Sequence, residues 1–284
     1  GIDVVNMSYY IDPWLYNCRA NPADSPAAQA QQRLVIDATN RALQYARRRG
    51  VTLVSAAGNE NTDLDNPTFD GGSPDYPPDM AYDRQVDRGC LTMPTQGEGV
   101  LAVSSVGPST LKAYYSNWGT RDITVAAPGG AFRDFYGTPR YRTGGNLILA
   151  PYPKEVALAN GDVDADTGEP TTPFVVSDCS SGTCSYYQYL QGTSMASPHA
   201  TGVVAEIVGR WGTPDPRTGG LKLNPQQAEK ILTRTATDTA CPVPVYDYPD
   251  LPDAYTSNCD GTASFNGWYG DGIVNALTAV TRRN

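Results

Sequence analysis

Only one of the 284 residues is a histidine, His199. That scarcity speaks against zinc centres built on imidazole. It also leaves a single side chain whose ordinary pKa suits general-base work at neutral pH. The six cysteines include no Cys-x-x-Cys pair, so a zinc ribbon and a thioredoxin-type redox motif are absent as well. No apolar run reaches the ~20 residues needed to cross a bilayer, and no signal peptide opens the chain. Positive charge is scarce too. Lys and Arg number 21 against 30 Asp and Glu, for a net charge of −9 at pH 7. The one basic run, Arg47-Arg48-Arg49, falls at the end of an expected helix, where it offsets the dipole. The composition therefore argues against nucleic acid or an anionic membrane as a partner.

A chain of this length can bury a large core, and it reads as one domain over residues 1–284. It begins at Gly1 without an initiator methionine, almost directly on the strand-like Val4-Val5-Asn6-Met7-Ser8, which points to an internal start. Residues 4–8 read as a buried strand. Residues 27–49 read as an amphipathic helix with Leu34, Val35, Ala38, Ala42, Leu43 and Ala46 at helical spacing, stopped by Gly50. Residues 51–57 read as a second buried strand. This strand–helix–strand unit implies a parallel sheet with covered faces, and further strands are expected at 100–106 and 123–127. From about 130 to 185 the pattern dissolves into Gly, Pro, Asp and Tyr without a sustained period, and it reads as a long loop insertion. Helices resume after Ser194 and are expected again at 225–235 and 273–282. The fold class is α/β, a doubly wound and mainly parallel sheet with helices on both faces.

The even number of cysteines fits three disulfides formed in an oxidising compartment. Short loops favour Cys179–Cys184 and Cys241–Cys259, which leaves Cys18–Cys90, and buried free thiols are the alternative.

The richest stretch is Gln191-Gly192-Thr193-Ser194-Met195-Ala196-Ser197-Pro198-His199, which runs into the apolar helical segment from Ala200 to Val208. Ser194 follows a small flexible turn and opens a helix, among unpaired backbone N–H groups at the positive end of the dipole. Such a place suits a nucleophile whose attack generates an oxyanion. An ordinary Ser or Thr helix cap would account for most serines so placed. Here the whole string resembles the nucleophile signature of the subtilisin-like serine proteases, or subtilases. Other blocks resemble the same family in the family's own order: Val4 to Ser8, Ala56-Ala57-Gly58-Asn59-Glu60, Tyr115-Ser116-Asn117-Trp118-Gly119, Val125-Ala126-Ala127-Pro128-Gly129 and Gly270-Asp271-Gly272-Ile273-Val274-Asn275-Ala276. The insertion and the stretch from Cys241 to Asn266 stand outside the resemblance.

The resemblance implies a secreted serine endopeptidase in which Ser194 is acylated. The Ser194 N–H and the Asn59 side-chain amide would hold the oxyanion. Asn59 by itself would read as a turn residue after Gly58. An extended polypeptide substrate would lie between Ser8-Tyr9-Tyr10 and Ala56-Ala57-Gly58. Tyr10 stands where the family has a glycine, and an apolar side chain is the expected preference before the cleaved bond. The family's Asp and His should precede this block order, so they are expected upstream of Gly1, as in an N-terminally incomplete domain or one chain of a two-chain enzyme. A catalytically inactive peptide-binding module is the other reading. His199 belongs to the signature itself. Five residues turn a helix by roughly 140°, which carries His199 away from Ser194 and makes it a packed or hydrogen-bonded helix residue. Asp166-Thr167-Gly168 matches a catalytic Asp-Thr-Gly but lacks the preceding apolar strand and lies in the wrong order. The alternating aspartates Asp162, Asp164 and Asp166 fit a calcium loop poorly, because Pro173 occupies the position of its final Glu. Tyr76-Pro77-Pro78 resembles a loop near which relatives bind a cation. No cofactor is required and no metal ligand set is expected, structural calcium is possible but unsupported, and a propeptide or N-terminal segment is the expected partner besides substrate.

Overall fold

The computed structural model describes residues 1–282 apart from 181, 217 and 218. In chain order its main elements begin with β1 (Val4–Met7), α1 (Pro26–Arg48), β2 (Thr52–Ala56), β3 (Val100–Val106) and β4 (Ile123–Pro128). They continue with β5 (Ile148–Tyr152), α2 (Lys154–Ala159), β6 (Val175–Asp178) and β7 (Ser185–Leu190). The last are α3 (Thr193–Trp211), α4 (Pro225–Thr235) and α5 (Ala276–Thr281).

β1 to β4 form one parallel sheet in sequence order, with Val54 opposite Leu101 and Val103 opposite Val125. Every residue of Thr52–Ala56 is buried, as a strand covered on both faces requires. Neighbouring residues on β2 serve opposite layers. Leu53 packs with Ile36 and Leu43 of α1, whereas Val54 packs with Ala200, Val204 and Ile207 of α3. Helices therefore lie on both faces of a parallel sheet, the doubly wound α/β arrangement that the sequence implies.

The face of α1 differs from the sequence expectation. Ser25 caps the helix by accepting from the Ala28 N–H at 3.2 Å, and Pro26 occupies the first turn. The buried stripe is Gln32, Ile36 and Leu43, while Leu34 is 68% exposed and Ala38 and Ala42 face solvent. A glutamine that bonds inward had masked the register of the stripe. β1 is also less buried than expected, because among the described residues it pairs with β2 alone and so forms a sheet edge. The last helix is shorter than residues 273–282, since Ile273 bridges Ala126 and Thr237 and closes the far side of the sheet.

The segment from about 130 to 185 is more ordered than a loop insertion. β5, β6 and β7 build an antiparallel sheet in the order β6-β7-β5 around Ala157, Val163, Val175 and Tyr186. Cys179–Cys184 closes the β6–β7 hairpin, and β7 leads straight into the turn before Ser194. Cys241–Cys259 and Cys18–Cys90 complete the three expected disulfides. Among the described residues no helix is long and apolar enough to cross a membrane.

Candidate active site

Parallel strands present their carboxyl ends on one side of a sheet, where open α/β folds take ligands. Ser8 directly follows β1, Asn59 lies three residues beyond β2, and Ser194 is the second residue of α3. All three line one cavity of about 320 Å³, together with Tyr9, Tyr10, Ala56, Gly58 and Thr193.

Hydrogen bonds fix which way the Asn59 amide faces. Its Oδ1 accepts from the Thr193 N–H and from the Thr193 hydroxyl, both at 2.9 Å. The oxygen is thereby committed to the start of α3, and Asn59 Nδ2 donates to no protein group among the described residues. Thr193 Oγ1 also accepts from the Gly58 N–H at 3.1 Å. Gly58 has φ +105°, and a Cβ there would fall 2.3 Å from Asn117 Nδ2. Only glycine fits this bend. Asn117 braces the bend from behind, donating to the Ala57 carbonyl at 3.0 Å and accepting from the Thr62 N–H at 2.8 Å.

Gly192 sits before α3 with φ +152° and no capping side chain. Of the first N–H groups of α3, Thr193 serves Asn59, while Met195 and Ala196 return to the Gly192 carbonyl. The Ser194 N–H has no acceptor among the described residues. Two donors, Ser194 N–H and Asn59 Nδ2, therefore stand without acceptors among the described residues. The end of β1 is locked against the same helix. Ser8 Oγ donates to the Ser194 carbonyl at 3.1 Å, and Ser197 Oγ donates to Asn6 Oδ1 at 2.6 Å.

His199 is exposed, with Nδ1 2.8 Å from the Met195 carbonyl. A carbonyl only accepts, so this nitrogen carries the proton, and the ring is hydrogen-bonded along its own helix. No acid–imidazole pair lies against Ser194 among the described residues.

The two expected substrate segments differ. The backbone groups of Tyr9 and Tyr10 make no hydrogen bonds with the described residues, so that edge is open. In the second segment the Ala57 N–H donates to Val103, the Gly58 carbonyl accepts from Asn117, and the Ala56 carbonyl accepts from Thr95 Oγ1 at 2.7 Å. Ala57 itself does not line the cavity, being buried with Leu64 and Ile123. This segment is a wall with its polar groups already engaged. Thr193, Asn117 and Asn6 were not picked out from sequence as site residues, although each lies within or beside a block that was.

Glu60 is exposed as a residue, but protein crowds its carboxylate, and this desolvation raises its pKa above the usual range. Bonds from Asn117 Nδ2 at 2.7 Å and the Asn59 N–H at 2.9 Å oppose the rise. A larger hollow of about 470 Å³ lies between Tyr114, Tyr136, Tyr246 and Tyr248 and does not include Ser194. Asp164 is occupied by the N–H groups of Asp166 and Thr167, and Asp162 by the Tyr152 hydroxyl. Among the described residues no group of three or more His, Cys, Asp or Glu side chains is arranged to hold a metal.

Known proteins bear out the resemblance. The subtilase family profile matches residues 1–267, so the block from Gly270 to Ala276 lies beyond its end. An extracellular protease of Xanthomonas campestris pv. campestris is 29% identical over 240 residues, covering 84% of this chain and 25% of that protein. A lanthipeptide protease structure is 21% identical with TM-score 0.57, covering 98% of this chain and 60% of that one. The nisin leader peptidase NisP from Lactococcus lactis is 19% identical with TM-score 0.53, covering 100% and 59%. The chain thus spans a quarter of the Xanthomonas protein and about three-fifths of each structure, whose likeness concerns the fold. On the match over residues 1–267, the chain belongs to the subtilase family.

Proposed function

We propose that this chain forms the nucleophile and oxyanion half of a secreted serine endopeptidase. The observation that carries this reading is the pair of open donors at Ser194, its own N–H and Asn59 Nδ2. In the proposed reaction Ser194 Oγ attacks the peptide carbonyl as a general base takes its proton, and the carbonyl oxygen becomes the oxyanion. Donors fixed before the charge develops stabilise it with little reorganisation. The intermediate collapses to an acyl-enzyme as the base returns the proton to the leaving amine, and water then releases the acyl group. The base and its orienting carboxylate are assigned to a segment upstream of Gly1 or to a partner chain. The open backbone edge at Tyr9 and Tyr10 supports an extended substrate held by strand addition. Three disulfides, with the extracellular relative, favour secretion. No cofactor is required, and a propeptide or the upstream segment is the proposed partner.

A fluorophosphonate probe tests the assignment. The protein purified with its upstream sequence should label at Ser194 rapidly, and the 284-residue chain alone should label slowly or not at all. Absence of labelling in both would favour the alternative, an inactive peptide-binding module with the same fold.

A further inference from the structure

The cavity beside Ser194 carries an unbalanced charge. Asp12 and Glu60 line it, and Tyr10, also a lining residue, donates its phenolic proton to Asp75 Oδ2. The Asp75 N–H donates to the Pro13 carbonyl at 2.9 Å, which ties the loop bearing Asp75 to the one bearing Asp12. Three carboxylates thus gather around one phenol. No lysine, arginine or histidine lines the cavity, and none of the three carboxylates joins an ion pair among the described residues. Nearby Arg84 is no exception, since it is fully buried and committed to Asp24 and Asp70.

Desolvation and neighbouring charge both register on these groups. Asp12 is exposed, and its pKa is raised first by local desolvation and then by the charge of Asp75 and a hydrogen bond to it. Burial raises the Tyr10 phenol most, followed by its bond to Asp75 and the charges of Asp75, Asp12 and Glu60. The remaining walls are Ala56, Leu15 and the hydroxyl-bearing Thr92 and Thr95. A volume near 320 Å³ is at the small end of ligand pockets, which run from roughly 300 to 1,000 Å³, and suits one long side chain.

We propose that this cavity receives a lysine or arginine side chain from the substrate residue that precedes the cleaved bond. The inference rests on the protease reading above and replaces the apolar preference suggested by sequence alone. The aliphatic stem of such a residue packs against Leu15 and Ala56, and its cationic head meets the Asp12–Asp75 edge. An apolar side chain would instead cover Asp12 and the Tyr10–Asp75 pair without bringing a cation to balance them. Of the three carboxylates, Glu60 belongs to a family signature block, whereas Asp12 and Asp75 lie on two loops outside those blocks.

The test is the cleavage of a peptide series by the protein purified with its upstream sequence, varying only the residue before the scissile bond. The arginine and lysine peptides should exceed the leucine and phenylalanine peptides at least tenfold in kcat/KM. The Asp12→Asn, Asp75→Asn double variant, its fold checked by melting temperature, should cut that ratio about tenfold. Faster cleavage after leucine or phenylalanine, or a ratio unmoved in the double variant, overturns the proposal while leaving the protease reading intact. If no peptide is cleaved, the protease reading fails instead. Benzamidine then tests the pocket on the 284-residue chain: a rise in melting temperature that disappears in the double variant supports it, and no rise overturns it.

Discussion

Asn59 can act as a donor only because its oxygen is already taken. An asparagine amide at a loop tip could face either way, and the Thr193 N–H and hydroxyl at 2.9 Å remove that freedom. Under the proposed function Thr193 is thus a positioning residue. Thr193→Val keeps the shape but leaves the Gly58 N–H and Asn59 Oδ1 each short of a partner. We expect kcat to fall roughly tenfold with KM little changed, because the lost alignment matters when the oxyanion forms. A fall in stability with unchanged kcat would assign Thr193 a structural role. A second residue has a pH signature. Asp65 accepts from the Thr120 N–H and hydroxyl at 2.7 Å and from the Arg121 backbone and guanidinium. Partial burial tends to raise its carboxyl, but these bonds prevail and hold it below the usual range. A depressed folded-state pKa gives stability that is complete above the unfolded value near about 3.9 and lost as pH falls through the folded one. Asp65→Asn should therefore lower stability at pH 7 by ~1 kcal/mol, allowing for partial exposure. The gap to the parent in thermal melts should narrow below about pH 4.

Elements are held in place by contacts that no periodicity predicts. Arg84 is buried with Asp24 and Asp70, all three side chains fully enclosed, and also bonds Gln32 of α1 and the Tyr16 carbonyl at 2.8 Å. It fastens the start of α1 to the loop carrying the Cys18–Cys90 bridge. Arg84→Met leaves two buried carboxylates without a cation, so denaturant unfolding should show a loss of ~3–5 kcal/mol. Restoration of part of that loss by adding Asp24→Asn and Asp70→Asn would identify stranded charge as the cause. The same cluster explains what was hidden in the sequence. The strands β2, β3 and β4 were legible because burial on both faces leaves them rich in aliphatic and small residues, with only Ser and Thr among the polar ones. The stripe of α1 was misread because Gln32 points inward to Asp24 and the Cys18 N–H, a polar group buried through its partners. The segment from 130 to 185 concealed a sheet because β7 mixes three tyrosines with Ser and Gln, β5 carries a proline, and neither shows a clean apolar alternation. Ser194 and Asn59 were singled out through signature strings, whereas the hydrogen bonds of Thr193 and Asn117 become visible only once distant segments meet.

At the scale of the molecule, the proposed nucleophile Ser194, two open donors and an open backbone edge come together, and among the described residues no imidazole lies against the serine. The edge strand β1 runs beside this site, and its Asn6 is already engaged with α3. Under the proposed function, the base that activates Ser194 is supplied from outside these 284 residues. Removing the base from a serine triad lowers turnover by orders of magnitude, and what remains comes from binding and the oxyanion donors. The most direct measurement is hydrolysis of casein or a chromogenic peptide by the pure 284-residue chain, with Ser194→Ala as control, repeated with the upstream segment present. The account predicts little or no activity from the chain alone and Ser194-dependent activity once the segment is added. Robust activity from the chain alone, abolished by Ser194→Ala, would mean that a residue within it serves as the base, and would contradict the structural role assigned to His199.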